Sequence, residues 1–189
     1  MVNASTTRMA RPAAFRSPIA RSRPPVALSG RDAARIAEIA GGVPDPELPM
    51  VSLANLGVLR AVEVDATTGR IAVTITPTYT GCPAMNTMAE DIVGRLAAAG
   101  YPDVTVHKVL GGDWSSDDLT AAGRKALQDN GIAPPAASPG DPNAAAAIIT
   151  CPQCGAPETE QLSPFGATSC KALFRCLACR EPFEYFKVH

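Results

Sequence analysis

Cys151-x2-Cys154, followed 21 residues later by Cys176-x2-Cys179, limits what the last 40 residues of this chain can become. A stretch of about 40 residues buries too little apolar surface to fold unaided, so it needs a staple. Two Cys-x2-Cys knuckles supply one, because they bring four thiolates to the corners of a tetrahedron. This is the geometry of a zinc ribbon, with each sulfur about 2.3 Å from the ion. An iron-sulfur cluster accepts the same four ligands, so the spacing alone leaves the metal open. Disulfides are disfavoured, because no secretion signal precedes the pairs and reducing compartments favour metal at such knuckles. Cys170 lies between the pairs and admits three readings: a spare accessory thiol, a substitute ligand or a small buried residue.

The N-terminal region reads quite differently. Six arginines precede the first acidic residue, Asp32, while the remainder holds 11 basic and 18 acidic residues. Residues 1–28, rich in Arg and Pro and free of acid, are expected to form a disordered basic extension, since their prolines would break the amphipathic helix of a transit peptide. The acidic remainder excludes bare nucleic-acid backbone as a partner. The chain has no run of about 18 apolar residues, so no transmembrane helix and a cytoplasmic location are expected.

From residue 29 the pattern becomes regular. Ser29 with Asp32 resembles a capping box, and Ala33, Ile36, Ala37, Ile39 and Ala40 predict a helix over 30–40, ended by Gly41-Gly42. The prolines of Val43-Pro44-Asp45-Pro46-Glu47-Leu48-Pro49 force an extended acidic loop. Alternating residues at 58–65 and 71–76 around Ala66-Thr67-Thr68-Gly69 predict a hairpin. Met85, Met88, Ile92, Val93 and Leu96 form a helical stripe closed by Gly100, and Val104–Leu110 reads as a third strand. The helix between the second and third strands makes that pair parallel. A last helix is expected from Ser115 or Ser116 to Gly131, with Leu119, Ala122, Ala126 and Leu127 inward. The fold class is therefore α+β: a small three-stranded mixed sheet with packed helices over 29–133, a Pro/Ala linker over 134–149, and a four-cysteine ribbon over 150–189.

Further features bear on function. Cys82, in Thr78-Tyr79-Thr80-Gly81-Cys82-Pro83, falls where a strand ends and a helix begins. There, backbone N–H groups and the helix dipole would favour a thiolate, with Gly81 keeping the approach open. The alternative is a small Cys packed at a strand end. Asp45 and Glu47 flank Pro46 and read either as ligands facing a metal or partner, or as solvated charges. Five of the nine aromatic residues, Phe165, Phe174, Phe183, Tyr185 and Phe186, lie in the last 25 positions. Phe174 and Phe183 are expected in the ribbon core, and 183–188 is apolar enough to predict partner contact. His107 and His189 are the chain's two histidines, too few for a catalytic triad, and no nucleotide-binding loop occurs. No catalytic residue is expected.

The Asp45-Pro46-Glu47 loop, Leu56-Gly57-Val58-Leu59 and Thr80-Gly81-Cys82-Pro83 resemble a family of small iron-sulfur cluster assembly factors over about residues 30–112. Trp114, Gly131-Ile132-Ala133-Pro134-Pro135, Ser163-Pro164-Phe165-Gly166, Cys170-Lys171-Ala172-Leu173 and Glu181-Pro182-Phe183-Glu184-Tyr185-Phe186-Lys187 extend the resemblance to the PaaD-like family of bacterial phenylacetyl-CoA epoxidase systems. That resemblance implies a non-catalytic accessory subunit of aerobic phenylacetate degradation. Its partners would be a di-iron oxygenase and a flavin and iron-sulfur reductase. It further implies help in maturing a metal centre, with iron or a cluster held transiently at Cys82 beside Asp45 and Glu47, either within one chain or shared in a homodimer. Zn would be held by Cys151, Cys154, Cys176 and Cys179. A nucleic-acid-binding ribbon and a thiol-disulfide protein using Cys176 and Cys179 are the alternatives.

Overall fold

The computed structural model describes residues 30–110, 114–136 and 148–188. The basic extension over 1–28, Ser29, Asp113 and most of the 134–149 linker lie outside the described residues.

Helix α1 (Gly30–Gly41) turns Ile36 and Ala40 completely inward. The proline loop that follows folds back on itself, with Leu53 N–H donating to the Val43 carbonyl at 2.8 Å, so that Val43, Leu48, Val51 and Leu53 join the core. Strands β1 (Leu59–Val64) and β2 (Ile71–Ile75) pair antiparallel. Asp65 ties their turn by accepting from the Thr67 and Thr68 N–H groups. Helix α2 (Met85–Ala98) crosses over to β3 (Val104–Lys108), which pairs parallel with β2. The sheet order is β1-β2-β3, as the crossover requires. Met85, Met88, Ile92 and Leu96 of α2 are buried, whereas Val93 lies one position off the stripe and is exposed.

The next segment departs from the expected single helix. A 3₁₀ turn over Ser116–Asp118, capped by Ser115, stops at extended Leu119, and α3 (Ala121–Asp129) starts afresh on the Thr120 side chain. The break lets α3 lie against the 52–57 loop. Gly123 faces it so closely that a Cβ would stand 2.6 Å from the Asn55 carbonyl oxygen, and Gly123 is buried where Ala122 is exposed.

The chain then forms a second sheet in the order β4-β7-β6-β5, from β4 (Ile132–Ala133), β5 (Thr159–Ser163), β6 (Lys171–Cys176) and β7 (Pro182–Phe186). Its edge strand β4 comes directly after α3 and pairs parallel with β7. Phe174, Phe183 and Tyr185 build a small core beside Cys151 and Cys176, with Phe174 at 6.0 Å from Phe183 and 5.5 Å from Tyr185. Phe186 has turned the other way. It is fully buried in the core of the first sheet and meets the edge of Trp114 at 6.1 Å, while the Trp114 indole N–H donates to the Leu56 carbonyl at 2.9 Å. Within 183–188, Phe186 is thus covered by this chain's own N-terminal part, whereas Phe183 and Tyr185 lie in the ribbon core.

Candidate functional site

The four ribbon cysteines converge from two knuckles at the ends of the second sheet. Their sulfurs all lie within 4.8 Å of one another, with Cys151 to Cys179 at 3.8 Å and Cys154 to Cys176 at 3.6 Å. A tetrahedron with metal–sulfur bonds of about 2.3 Å has edges of about 3.8 Å, and these two edges match it. The pKa of Cys176 is lowered to about 7, first by the Cys179 N–H that points at its sulfur. Cys179 accepts from the Glu181 N–H, yet burial and its three sulfur neighbours push it up to about 12. A cation that binds four cysteines displaces the protons of their thiols.

A second constellation forms where the two sheets meet. The proline loop places Asp45 almost fully buried, and its Oδ1 accepts from the Glu47 and Leu48 N–H groups, both at 2.8 Å. Burial raises its carboxyl, against the two N–H donors and the charge of Lys171. Glu47 is also raised, by burial and then by Asp45. Cys82 is half-buried in the turn before α2, its N–H donating to the Tyr79 carbonyl at 3.3 Å. A Cβ added at Gly81 would meet nothing within 4 Å, so the turn beside the thiol is uncrowded.

The expected low thiol value is not found at Cys82. Helix α2 begins only at Met85, without a side-chain cap, and the favourable backbone contact acting on the thiol comes from the Ala84 N–H. Burial, followed by the charges of Glu47, Asp45 and Cys170, outweighs it and pushes the thiol up to about 11. Cys82 is therefore a protonated thiol facing carboxylates rather than a free nucleophile.

Residues that carry no motif of their own complete the surroundings. Lys171 is 4% exposed, and its ammonium pairs with Glu184 at 2.6 Å. With Glu47, Leu173 and Phe183 the two line a cleft of about 400 Å³ between the proline loop and the second sheet. In sequence, the available signal for them is opposite charge on neighbouring strands. His107 is exposed on β3, and Asp118 pairs with Arg60 at 3.0 Å; neither belongs to the site.

The α+β domain, followed by a four-cysteine ribbon, is of the iron-sulfur-assembly type with an appended metal-binding module. Residues 34–109 match the family described as iron-sulfur cluster assembly protein, and residues 135–187 match the PaaD zinc beta ribbon domain. A protein of Escherichia coli (strain K12) named as a component of 1,2-phenylacetyl-CoA epoxidase is 38% identical over 145 residues, 77% of this chain and 86% of the relative. The chain belongs to this PaaD family of phenylacetyl-CoA epoxidase components. Among solved structures, a domain of unknown function from Bacillus anthracis is 26% identical with a TM-score of 0.46, covering 50% of this chain and 90% of its own. A Mycobacterium tuberculosis protein associated with iron-sulfur complex assembly and repair is 24% identical with a TM-score of 0.32, covering 56% and 95%.

Proposed function

We propose that this chain is a non-catalytic accessory subunit of a phenylacetyl-CoA epoxidase system, working in the cytoplasm on the oxygenase or the reductase. It receives iron or an iron-sulfur cluster at Cys82, with Asp45 and Glu47 as oxygen donors, and passes it to the client's metal centre. In this reading residues 29–133 carry the cargo site, residues 150–189 hold a structural Zn on Cys151, Cys154, Cys176 and Cys179, and 134–149 connect them. Zn supplies folding energy to the ribbon and takes no part in electron transfer.

The observation that carries the reading is that the charges of two carboxylates, Glu47 and Asp45, act on one half-buried thiol beside the junction, in a chain whose four ribbon cysteines are drawn into a separate quartet. Among the described residues, the ribbon quartet alone forms a group of three or more donors with ligand atoms within 4.8 Å. The Cys82 set is looser. A closed site retains its ion, whereas an open one can take up a cargo and give it away. Cys176 and Cys179 are drawn into the quartet, which favours metal over a working dithiol pair.

Cys82→Ser tests the reading. In a strain lacking the native chain, wild type should restore epoxidase activity and client iron content. The Cys82→Ser protein should be present at normal level, keep its ribbon metal and restore neither. Full restoration by Cys82→Ser would remove the transfer role.

A further inference from the structure

Cys170 is a ribbon residue in sequence, yet it does not pack in the ribbon. It is 3% exposed and belongs to the core of the first sheet, which Cys82 also touches, whereas Cys151 and Cys176 lie in the separate ribbon core. This removes Cys170 as a substitute ligand of the quartet. The loop that delivers it is braced at several points. Gly166 N–H donates to the Lys171 carbonyl at 2.8 Å, Ala167 N–H to Glu184 Oε1 at 2.7 Å, and Lys187 N–H to the Cys170 carbonyl at 3.0 Å. Thr168 Oγ1 stands 3.0 Å from the Cys170 sulfur.

The loop is also fastened to the other half of the site. Ser169 hydrogen-bonds the side chain of Tyr79, whose carbonyl in turn accepts from Cys82 N–H. Ser169 and Tyr79 thus hold together the two short segments bearing Cys170 and Cys82. The charges of Asp45 and Glu47 act on both thiols.

We propose that Cys170 is the second sulfur donor of the Cys82 site, so that the cargo is bound across the junction by one thiolate from each part of the chain, with Glu47 at the rim. This rests on the metal-handling reading of Cys82 and deepens it. The ligand atoms of Cys82, Cys170 and Glu47 do not all lie within 4.8 Å of one another, so an ion must draw its donors together; two thiolates and a carboxylate suit a borderline divalent cation such as Fe(II), Co(II) or Zn(II) rather than Mg(II) or Ca(II). Each thiol releases its proton to solvent as it ligates, so uptake of one ion liberates two protons and needs no oxidant. Such a site exists only when the ribbon is folded and docked, which gives the ribbon a role in cargo binding beyond its own stability.

The test uses the full chain, anaerobic, with the ribbon filled by Zn and Co(II) added as a spectroscopic probe for a second ion. X-ray absorption at the cobalt edge should count two sulfurs in the wild-type protein. Cys82→Ser and Cys170→Ser should each leave one sulfur and weaken cobalt binding by at least about tenfold. Cys170→Ala serves if the serine destabilises the buried position, and the wild-type sulfur count needs no variant. One sulfur in the wild-type protein, or unchanged cobalt affinity in both Cys170 variants while Cys82→Ser loses the ion, overturns the role of Cys170 alone. Unchanged affinity in Cys82→Ser, or no second ion in the wild type, overturns the proposal together with the reading of Cys82.

Discussion

Phe186→Ala should separate the two halves of the molecule energetically. Phe186 leaves the ribbon sheet and is fully buried in the core of the first sheet, its ring at 69° to Trp114. Truncating a fully buried Phe removes its transfer free energy and leaves a cavity, about 3–5 kcal/mol in total. Collapse of the cavity is limited on one side, because the Trp114 indole is tethered to the Leu56 carbonyl, and the edge-to-face pair of about 0.5–1.5 kcal/mol is lost as well. A loss of about 4 kcal/mol follows, which for a chain of this size lowers Tm by about 8–16 °C. Trp114 is the sole tryptophan and stands against the altered position, so its fluorescence reports the junction directly. Denaturant unfolding at fixed excess Zn, followed by Trp114 emission and by far-ultraviolet circular dichroism, gives the number. Phe186→Leu, which keeps most of the volume, should cost less than about 1.5 kcal/mol. A loss under about 1 kcal/mol for Phe186→Ala, with unchanged Trp114 emission, would refute the claim that this ring joins the two cores.

Other consequences can be checked separately. The Asp45 carboxyl is raised in the folded state, so the unfolded chain ionises first and folding is disfavoured as pH rises above the ordinary value of 3.8. Asp45→Asn, which can keep both N–H contacts, should therefore be at least as stable as wild type at pH 7, and the difference should shrink as pH falls below 3.8; a variant less stable at pH 7 contradicts this. Gly57 has φ +74°, and a Cβ there would stand 2.5 Å from the Asp118 Cβ and 2.7 Å from its carbonyl oxygen, so Gly57→Ala should lose at least about 2 kcal/mol in denaturant melts. Cys151→Ser should release the ribbon metal and abolish amide protection across β5 and β6, while β2 and β3 stay protected in hydrogen exchange.

The α+β architecture, the hairpin, the parallel β2 and β3 pair and the four-cysteine quartet are legible because each is written in local signals: alternation, a helical stripe, the obligate crossover and knuckle spacing. The break before α3 is not, since Ser115 and Thr120 both cap and periodicity alone continues through Leu119. Strand β4 escapes because two residues carry no pattern, and its pairing with β7 depends on a contact about 50 positions away. The apolar run at 183–188 does need a cover, but sequence does not tell an external partner from the chain's own first sheet. The thiol at Cys82 differs from expectation for a related reason. A dipole argument sees only the helix that follows, while tertiary packing buries the thiol and brings Glu47, Asp45 and Cys170 to act on it. The chain joins an iron-sulfur-assembly type of domain to a zinc ribbon.

Metal content and absorption of anaerobically purified protein, before and after exposure to Fe(II) and sulfide, test the central claim most directly. The account predicts one Zn per chain in both wild type and Cys82→Ser, and iron-derived visible absorption that wild type acquires and passes to the iron-free client while Cys82→Ser does not. Equal iron uptake and equal transfer by the two proteins would contradict it.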